Sequence, residues 1–415
     1  GLLTLVSASI TLFSSLGRRP ARVRATALPS VHSPDFLAAL AGALNTPLHS
    51  GGRATLLNNG ALYFTEILSA IRRAQHNINF FVYIWEPGEV SRMMIDALVE
   101  RARAGVQVRL LLDGLGGLRA PRGELKRLRA AGGMVHKFRS AKFGKLLRFY
   151  KRNHRRAIVI DGQIGFTGGA AVGDKWMGHA QDEKHWRDSM VMVTGTMASD
   201  LQSAFAEPWA YTCGELLVGS QFWPLAESDG NGATRHIHLV SSPSSEEHPL
   251  RLFVLLSFMA AQRKLYISSS YFVPDAQTRA AVLECARQGV DTRILVPNQL
   301  TDARPIRLAG RHYYDELLRA GARIYEYQPT MMHCKHVVID GLWSMVGSAN
   351  MDVRSKELNQ ENVLGILDPE FAAQVENTFL QDLEQAQEIR LEEWQRRGIW
   401  ERAKERFWVL FAEQY

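Results

Sequence analysis

The sequence predicts an α/β fold of two similar α/β/α halves, each a mixed, mostly parallel sheet flanked by helices. Three observations carry this. Apolar strand-like segments alternate with helix-like ones, the rhythm of βαβ units. The same succession occurs twice, with matching positions 187 residues apart at Pro87 and Pro274, 184 at Gly105 and Gly289, and 179 at His154 and His333. Finally, 415 residues, 46% of them hydrophobic, exceed one ordinary core and suit two of about 150–200 residues. The drift in offset reflects loop insertions, whereas a solenoid would repeat at one short period.

Residues 1–30 form a membrane-proximal segment. Leu2 to Phe13 are apolar or small, and Arg18, Arg19, Arg22 and Arg24 follow. The run is shorter than the ~20 residues of a spanning helix. It is expected to be the tail of a transmembrane helix with its arginines on the cytoplasmic side. The competing signal-peptide reading lacks a clear small-x-small cleavage site.

The first half is placed at 31–230. INFFVYIWEPGEV (78–90) is a strand ending at proline, and GVQVRLLLDGLG (105–116) a second. A helix then stops at glycine in RAAGGMVHKF (129–138), with a strand beyond it. ESDGNGAT (227–234) and SSPSSEEHP (241–249) are loop-forming and bracket the junction. The second half, 231–385, opens with HIHLV (236–240) and repeats the pattern in KLYISSSYFVPDA (264–276), GVDTRILVPNQL (289–300) and LRAGARIYEY (318–327). Residues 386–415 are read as a basic aromatic helix carrying Trp400, Phe407, Trp408 and Phe411 among Arg396, Arg397, Arg402, Lys404 and Arg406. Such a helix suits a membrane interface, the competing reading being a helix docked on the protein's own core.

The chemistry lies in a duplicated motif. His154-x-Arg156-x4-Asp161 sits in RNHRRAIVIDGQIGFTGGA, and His333-x-Lys335-x4-Asp340 in MMHCKHVVIDGLWSMVGSAN. On an extended strand, residues i and i+2 share a face, so each histidine projects beside its cation. An imidazole can attack phosphorus or deliver a proton near neutral pH, and the cation neutralises phosphate oxygens in the transition state. Two copies imply one site, assembled at a pseudo-twofold interface and holding a phosphate between two imidazoles. A single copy would be weak evidence; paired copies with matching downstream glycines are not.

These motifs resemble those of the phospholipase D superfamily, over about residues 55–385. TDARPIRLAGRHYYDELLRAGARIYEY (301–327) and GSANMDVRSKELNQEN (347–362) make the second half similar to bacterial cardiolipin synthases. The resemblance implies transfer of a phosphatidyl group from phosphatidylglycerol through a phosphohistidine, with release of glycerol and no cofactor or metal. It implies His154 as nucleophile and His333 as general acid, then base, an order that could be reversed. Arg156 and Lys335 would clamp the phosphate, with donors from Ser348 and Asn350 and, at the matching turn of the first half, Gly169. Glu361 would orient an imidazole across the interface, with Asp188 (in HWRD, 185–188) its equivalent in the first half, while Asp161 and Asp340 would brace the motif turns. The first copy departs from the pattern at Arg156, in place of lysine, and at Ala171, where the second half has Asn350.

The net charge of +7 and pI near 9.3 favour an anionic membrane surface or another polyanion. Phe143, Leu146, Leu147, Phe149 and Tyr150, interleaved with cations before His154, point to lipid, so anionic phospholipid is the expected partner and nucleic acid is not. The expected location is the bacterial inner membrane, with the catalytic part on the cytoplasmic side. Cys213, Cys285 and Cys334 show no CxxC spacing and are read as ordinary thiols. The competing functions are a phosphodiesterase that uses water, on phospholipid or nucleic acid, and a catalytically weakened lipid-binding protein.

Overall fold

The computed structural model describes residues 28–139, 152–224, 234–242 and 248–412. The amino-terminal segment through Ala27 and the Phe143–Tyr150 stretch lie outside them. After the short β1 (His49–Ser50), the first half contributes β2 (Ala54–Asn58), β3 (Asn77–Val82), β4 (Gln107–Asp113), β5 (Met134–Phe138), β6 (Ala157–Ile160), β7 (Ile164–Gly168) and β8 (Ser189–Thr194). These form one sheet in the order β2-β8-β7-β6-β3-β4-β5. The second half supplies β9 (Arg235–Val240), β10 (Lys264–Ser269), β11 (Phe272–Val273), β12 (Asp291–Pro297), β13 (Arg323–Tyr327), β14 (Lys335–Ile339), β15 (Trp343–Gly347), β16 (Met351–Asp352), β17 (Asn362–Leu367) and β18 (Ala386–Ile389). Its main sheet runs β1-β9-β17-β15-β14-β10-β12-β13-β18, with β11 and β16 paired separately.

Both sheets are mixed, and the central ordering repeats: β7-β6-β3-β4-β5 corresponds to β15-β14-β10-β12-β13. Parallel pairing in them is confined to β3-β4-β5 and β10-β12-β13, where helices cross over. The other pairings are antiparallel, because each histidine motif folds as a hairpin, β6-β7 or β14-β15. The sheets are therefore less parallel than strand–helix alternation alone implied.

Each sheet is buried on both faces, which explains the continuous apolar runs. In β3, Ile78, Phe80 and Val82 pack on helices Asn59–Arg73 and Glu89–Arg103, while Phe81 faces the other half. In β10, Leu265 and Ile267 likewise face outward and Tyr266 inward. Between the two sheets lie helices Thr196–Cys213 and Pro369–Glu384, one from each half, whose Phe205, Trp209, Phe371 and Phe379 fill a shared core. The halves thus share a continuous interior.

Two boundaries differ from the sequence reading. Residues 31–50 were assigned to the first half, yet Val31, Phe36, Leu37 and Leu40 enter the outer core of the second, and β1 pairs with β9. Residues 386–389, assigned to a helix, form β18 at the edge of the second sheet. Beyond it, helix Ile399–Val409 docks through buried Glu405, which accepts from Arg311 at 3.1 Å and Arg397 at 2.9 Å. Its opposite side presents Ile399, Trp400, Phe407 and Leu410, 53–79% exposed.

Candidate active site

The hairpin turns are held alike in both halves. Asp161 and Asp340 sit at positive φ, 52° and 53°, just after β6 and β14. Asp161 accepts from the backbone N–H groups of Gln75, His76 and Asn77 at 2.7–2.8 Å, and Asp340 from those of Gln262, Arg263 and Lys264 at 2.8–3.0 Å. Both carboxylates anchor the strand that pairs with the motif, at the end of the hairpin strand away from the histidine. They act as braces.

At the other end, the two halves exchange partners. His154 Nδ1 lies 3.1 Å from the carboxyl of Glu361, and His333 Nδ1 lies 2.7 Å from that of Asp188. Each histidine is therefore backed by an acid from the opposite half. Backbone contacts set this register. His154 N–H donates to Gln360 O (2.8 Å) and Gln360 N–H to Arg152 O (2.8 Å). In the same pattern, His333 N–H donates to Arg187 O (2.6 Å) and Arg187 N–H to Met331 O (2.9 Å). The residue before each acid thus crosses to the residues around the opposite histidine, and the acid follows it into place. With Nδ1 of both rings engaged, Nε2 is the nitrogen left for chemistry.

Both cations flank this pair. Lys335 Nζ donates to Ser270 Oγ and to His333 O at 2.8 Å each, and is 3.2 Å from both nitrogens of the His333 ring. Arg156 Nη1 donates to His154 O at 2.5 Å, while its buried Nε has no partner among the described residues. Asn362, next to Glu361, reaches across the interface, accepting from Arg156 N–H at 3.0 Å and donating to Arg156 O at 3.2 Å. The side-chain oxygen of Asn350 is also buried without a partner among the described residues, and Ala171 is buried at the matching place.

Two expected phosphate contacts fall elsewhere. The Ser348 hydroxyl donates to Glu361 and accepts from Asn362 N–H at 3.0 Å, so it is committed to the orienting acid. At the matching position, Gly169 leaves room for Asp188: a Cβ there would lie 2.2 Å from Asp188 Oδ1. The freed carboxylate accepts instead from Trp176 Nε1 (3.0 Å) and Ser189 N–H (2.8 Å). One half binds its acid with serine and the other makes space for it with glycine.

Burial dominates the electrostatics. It lowers His154 well below the ordinary imidazole value, with Arg156 and Lys335 adding to the effect. It brings His333 to about 4, Lys335 adding to the fall and Asp188 opposing it. Lys335 itself is pushed down to about 8. The two acids diverge. Burial lifts Glu361 to about 8 against the Ser348 and Arg156 contributions. Burial would also raise Asp188, but His333 and Lys335 outweigh it and hold Asp188 below the usual carboxylate range. At neutral pH the Glu361–His154 pair thus holds one more proton than the Asp188–His333 pair.

Sequence reasoning missed the aromatic walls. Tyr83 packs on His154 with ring centroids 4.8 Å apart, and Trp186 and Trp176 on His333 at 5.3 and 5.8 Å. Trp186 was visible beside Asp188 in HWRD, but Tyr83 and Ser270 carry no local signal. Cys334 points to the shared core, as its place between His333 and Lys335 on a strand requires. Away from this site, Asp200 Oδ2 lies 2.6 Å from His49 Nδ1 and 2.7 Å from His236 Nε2, a cluster with metal-ligand chemistry.

The chain matches the family model described as "Cardiolipin synthase, PLD-like domain" at residues 67–209 and 255–383, one segment in each half. It is 35% identical over 366 residues to cardiolipin synthase 1 of Bacillus cereus, covering 86% of this chain and 71% of that protein. It is 36% identical over 351 residues to cardiolipin synthase A of Pseudomonas fluorescens, covering 84% and 72%. Among solved structures, the phosphatidylserine synthase of Haemophilus influenzae aligns with a TM-score of 0.66 over 91% of this chain and 97% of its own, at 16% identity, a likeness of fold. The duplicated architecture and these relatives agree: the chain belongs to the cardiolipin synthase family of phospholipase D-like proteins and is a cardiolipin synthase-like phosphatidyltransferase.

Proposed function

We propose that the donor is phosphatidylglycerol and that its phosphatidyl group passes through a phosphohistidine on His154. The single observation behind this reading is the exchanged pairing of His154 with Glu361 and His333 with Asp188, which leaves two Nε2 atoms beside Arg156 and Lys335. His154 attacks phosphorus while His333 protonates the departing glycerol oxygen. In the second step the hydroxyl of another lipid gives its proton to His333 and displaces His154 from phosphorus. Lys335 and the free Nε of Arg156 stabilise the charge gathering on the phosphoryl oxygens.

The proton held by Glu361 distinguishes the two possible orders. If His154 attacks, that proton must first pass to His333, which leaves Glu361 anionic behind Nδ1–H, Nε2 of His154 with a free lone pair, and His333 holding the proton that the glycerol oxygen takes. If His333 attacks instead, the same proton is the one delivered to glycerol through His154. We adopt His154 as nucleophile from its position in the first motif copy.

We further propose that the protein works at a membrane surface. The exposed side of helix Ile399–Val409 carries Ile399, Trp400, Phe407 and Leu410 beside Arg402, Lys404 and Arg406, the composition of an interfacial helix. Among the described residues, no helix is long and apolar enough to cross a membrane.

The test is labelled phosphatidylglycerol in vesicles with the intact protein, His154→Ala and His333→Ala. Cardiolipin and glycerol from the intact protein, both lost in the variants, is the expected result. Phosphatidic acid alone from the intact protein would make it a hydrolase, and turnover surviving both substitutions would remove the histidine pair from the chemistry.

A further inference from the structure

We propose that His49, Asp200 and His236 form a zinc-type divalent metal site that ties strand β1 to both halves of the protein. The site stands apart from the histidine pair and does not depend on the phosphatidyltransferase reading. Three separate segments bring its side chains together. β1 and β9 pair antiparallel, with His49 directly opposite His236 and Ser50 opposite Arg235. Residues that face each other across such a pair project to the same side, their Cβ atoms about 4.5–5.5 Å apart. The two imidazoles accordingly lie with centroids 5.9 Å apart, inclined at 66°. Asp200 comes from helix Thr196–Cys213 of the first half. That helix starts on the end of β1, where Thr196 Oγ1 donates to Ser50 O at 3.1 Å and to Gly51 O at 2.8 Å. Asp200, one turn further along, presents Oδ2 at 2.6 Å from His49 Nδ1 and 2.7 Å from His236 Nε2.

Two ring nitrogens converging on a carboxylate are a donor set that suits zinc and its neighbours among the transition metals. All three ligand atoms lie within 4.8 Å of one another. Among the described residues, no other group of three or more histidine, cysteine, aspartate or glutamate side chains is so placed. A tetrahedral ion at ~2.0–2.1 Å from each ligand holds neighbouring ligand atoms about 3.3 Å apart. The two contacts to Oδ2 therefore open by about 0.6–0.7 Å as the ion enters. His49 can make that adjustment, since it lies on a two-residue strand at the edge of the sheet with its side chain 39% exposed. The same exposure leaves the fourth position to water.

The protons balance without release. Each neutral imidazole now turns an N–H toward Asp200; with the ion bound, that proton sits on the other ring nitrogen and a lone pair faces the metal. His236 Nδ1 is buried with no partner among the described residues, so it takes the proton without giving up a hydrogen bond. The bound ion joins the amino-terminal strand, the long helix of the first half and the leading strand of the second. Its contribution is to folding stability, as at other closed metal sites, and not to the chemistry at His154 and His333.

The test titrates the full chain, free of any affinity tag and stripped with EDTA, with zinc chloride. Binding is followed by calorimetry and by metal content after gel filtration, and stability by thermal unfolding. His49→Gln, Asp200→Asn and His236→Gln are compared with wild type, their folding checked by circular dichroism. His49→Gln changes a half-exposed edge residue and keeps the comparison open where His236→Gln does not fold. The expected result is one equivalent of zinc per chain, a higher Tm with zinc, and no such rise with magnesium, which prefers oxygen ligands. Each folded variant should bind at least about tenfold more weakly, since loss of an outer-shell partner alone costs about 10–100-fold. Absence of zinc binding by wild type would overturn the site and leave a hydrogen-bonded triad. Zinc bound equally by wild type and His49→Gln, with the same rise in Tm, would place the ion elsewhere and overturn it too.

Discussion

Asp188 and His333, 145 residues apart in sequence and in opposite halves, meet at 2.7 Å, and Asp188 is the acid of the pair that stays ionised. Its charge stabilises an imidazolium on His333, the form that donates a proton to a leaving alkoxide. Asp188→Asn keeps the shape and removes the charge. The expected outcome is a loss of roughly 10²–10⁴-fold in kcat for phosphatidyl transfer, with folding retained by circular dichroism.

Glu361 gives a prediction of opposite character. Its value of about 8 means that the acid-side form is neutral and the alkaline form ionised. The chemistry needs the one proton that Glu361 holds, so kcat/KM falls as pH passes through about 8, where Lys335 also loses its charge. Glu361→Gln cannot hold that proton, so its kcat/KM at neutral pH should fall, and its remaining decline should follow Lys335 alone. A Glu361→Gln variant with the wild-type rate and pH profile would remove Glu361 from the chemistry.

Gly169→Ser tests the asymmetry between halves. Serine is native at the matching Ser348, so composition alone predicts tolerance. The structure predicts otherwise, since the new Cβ would sit 2.2 Å from Asp188 Oδ1 and push the acid away from His333. Activity should fall nearly as far as in Asp188→Asn, whereas Ser348→Ala should cost about 1–2 kcal/mol of transition-state stabilisation from one lost donor to Glu361. Steady-state rates for the two variants decide it.

Asp340→Ala separates bracing from catalysis. It strips the acceptor from three consecutive backbone N–H groups and should lower unfolding free energy by roughly 2–4 kcal/mol. Activity per folded molecule, measured well below the transition, should stay within a few-fold of wild type. A large fall in kcat with unchanged denaturant stability would instead put Asp340 in the chemistry.

The architecture was legible because its signals are periodic or local. Repetition announced the two halves, and buried strands read as apolar runs such as Ile78–Val82. The histidines and their cations were legible because i, i+2 spacing on a strand fixes their shared direction. What sequence could not show depends on crossing the interface. Glu361 and Asp188 were picked by resemblance, which also put Glu361 across the interface from its imidazole, but no local signal does so, since the crossing follows from the backbone of Gln360 and Arg187. Ser348 looked like a phosphate donor because its hydroxyl could face either way, and only packing turned it to Glu361. Residues 31–50 were misplaced because chain order put them beside the first half, while their apolar face fits the second.

The exchanged acids also govern when this protein becomes able to act. Glu361 follows His154 by 207 residues, and His333 follows Asp188 by 145. While the chain leaves the ribosome, the first half emerges before its partners, so its histidine has no acid behind it and its aspartate no imidazole to orient. Reactivity toward lipid phosphates is switched on at once, late in synthesis, when the second half docks.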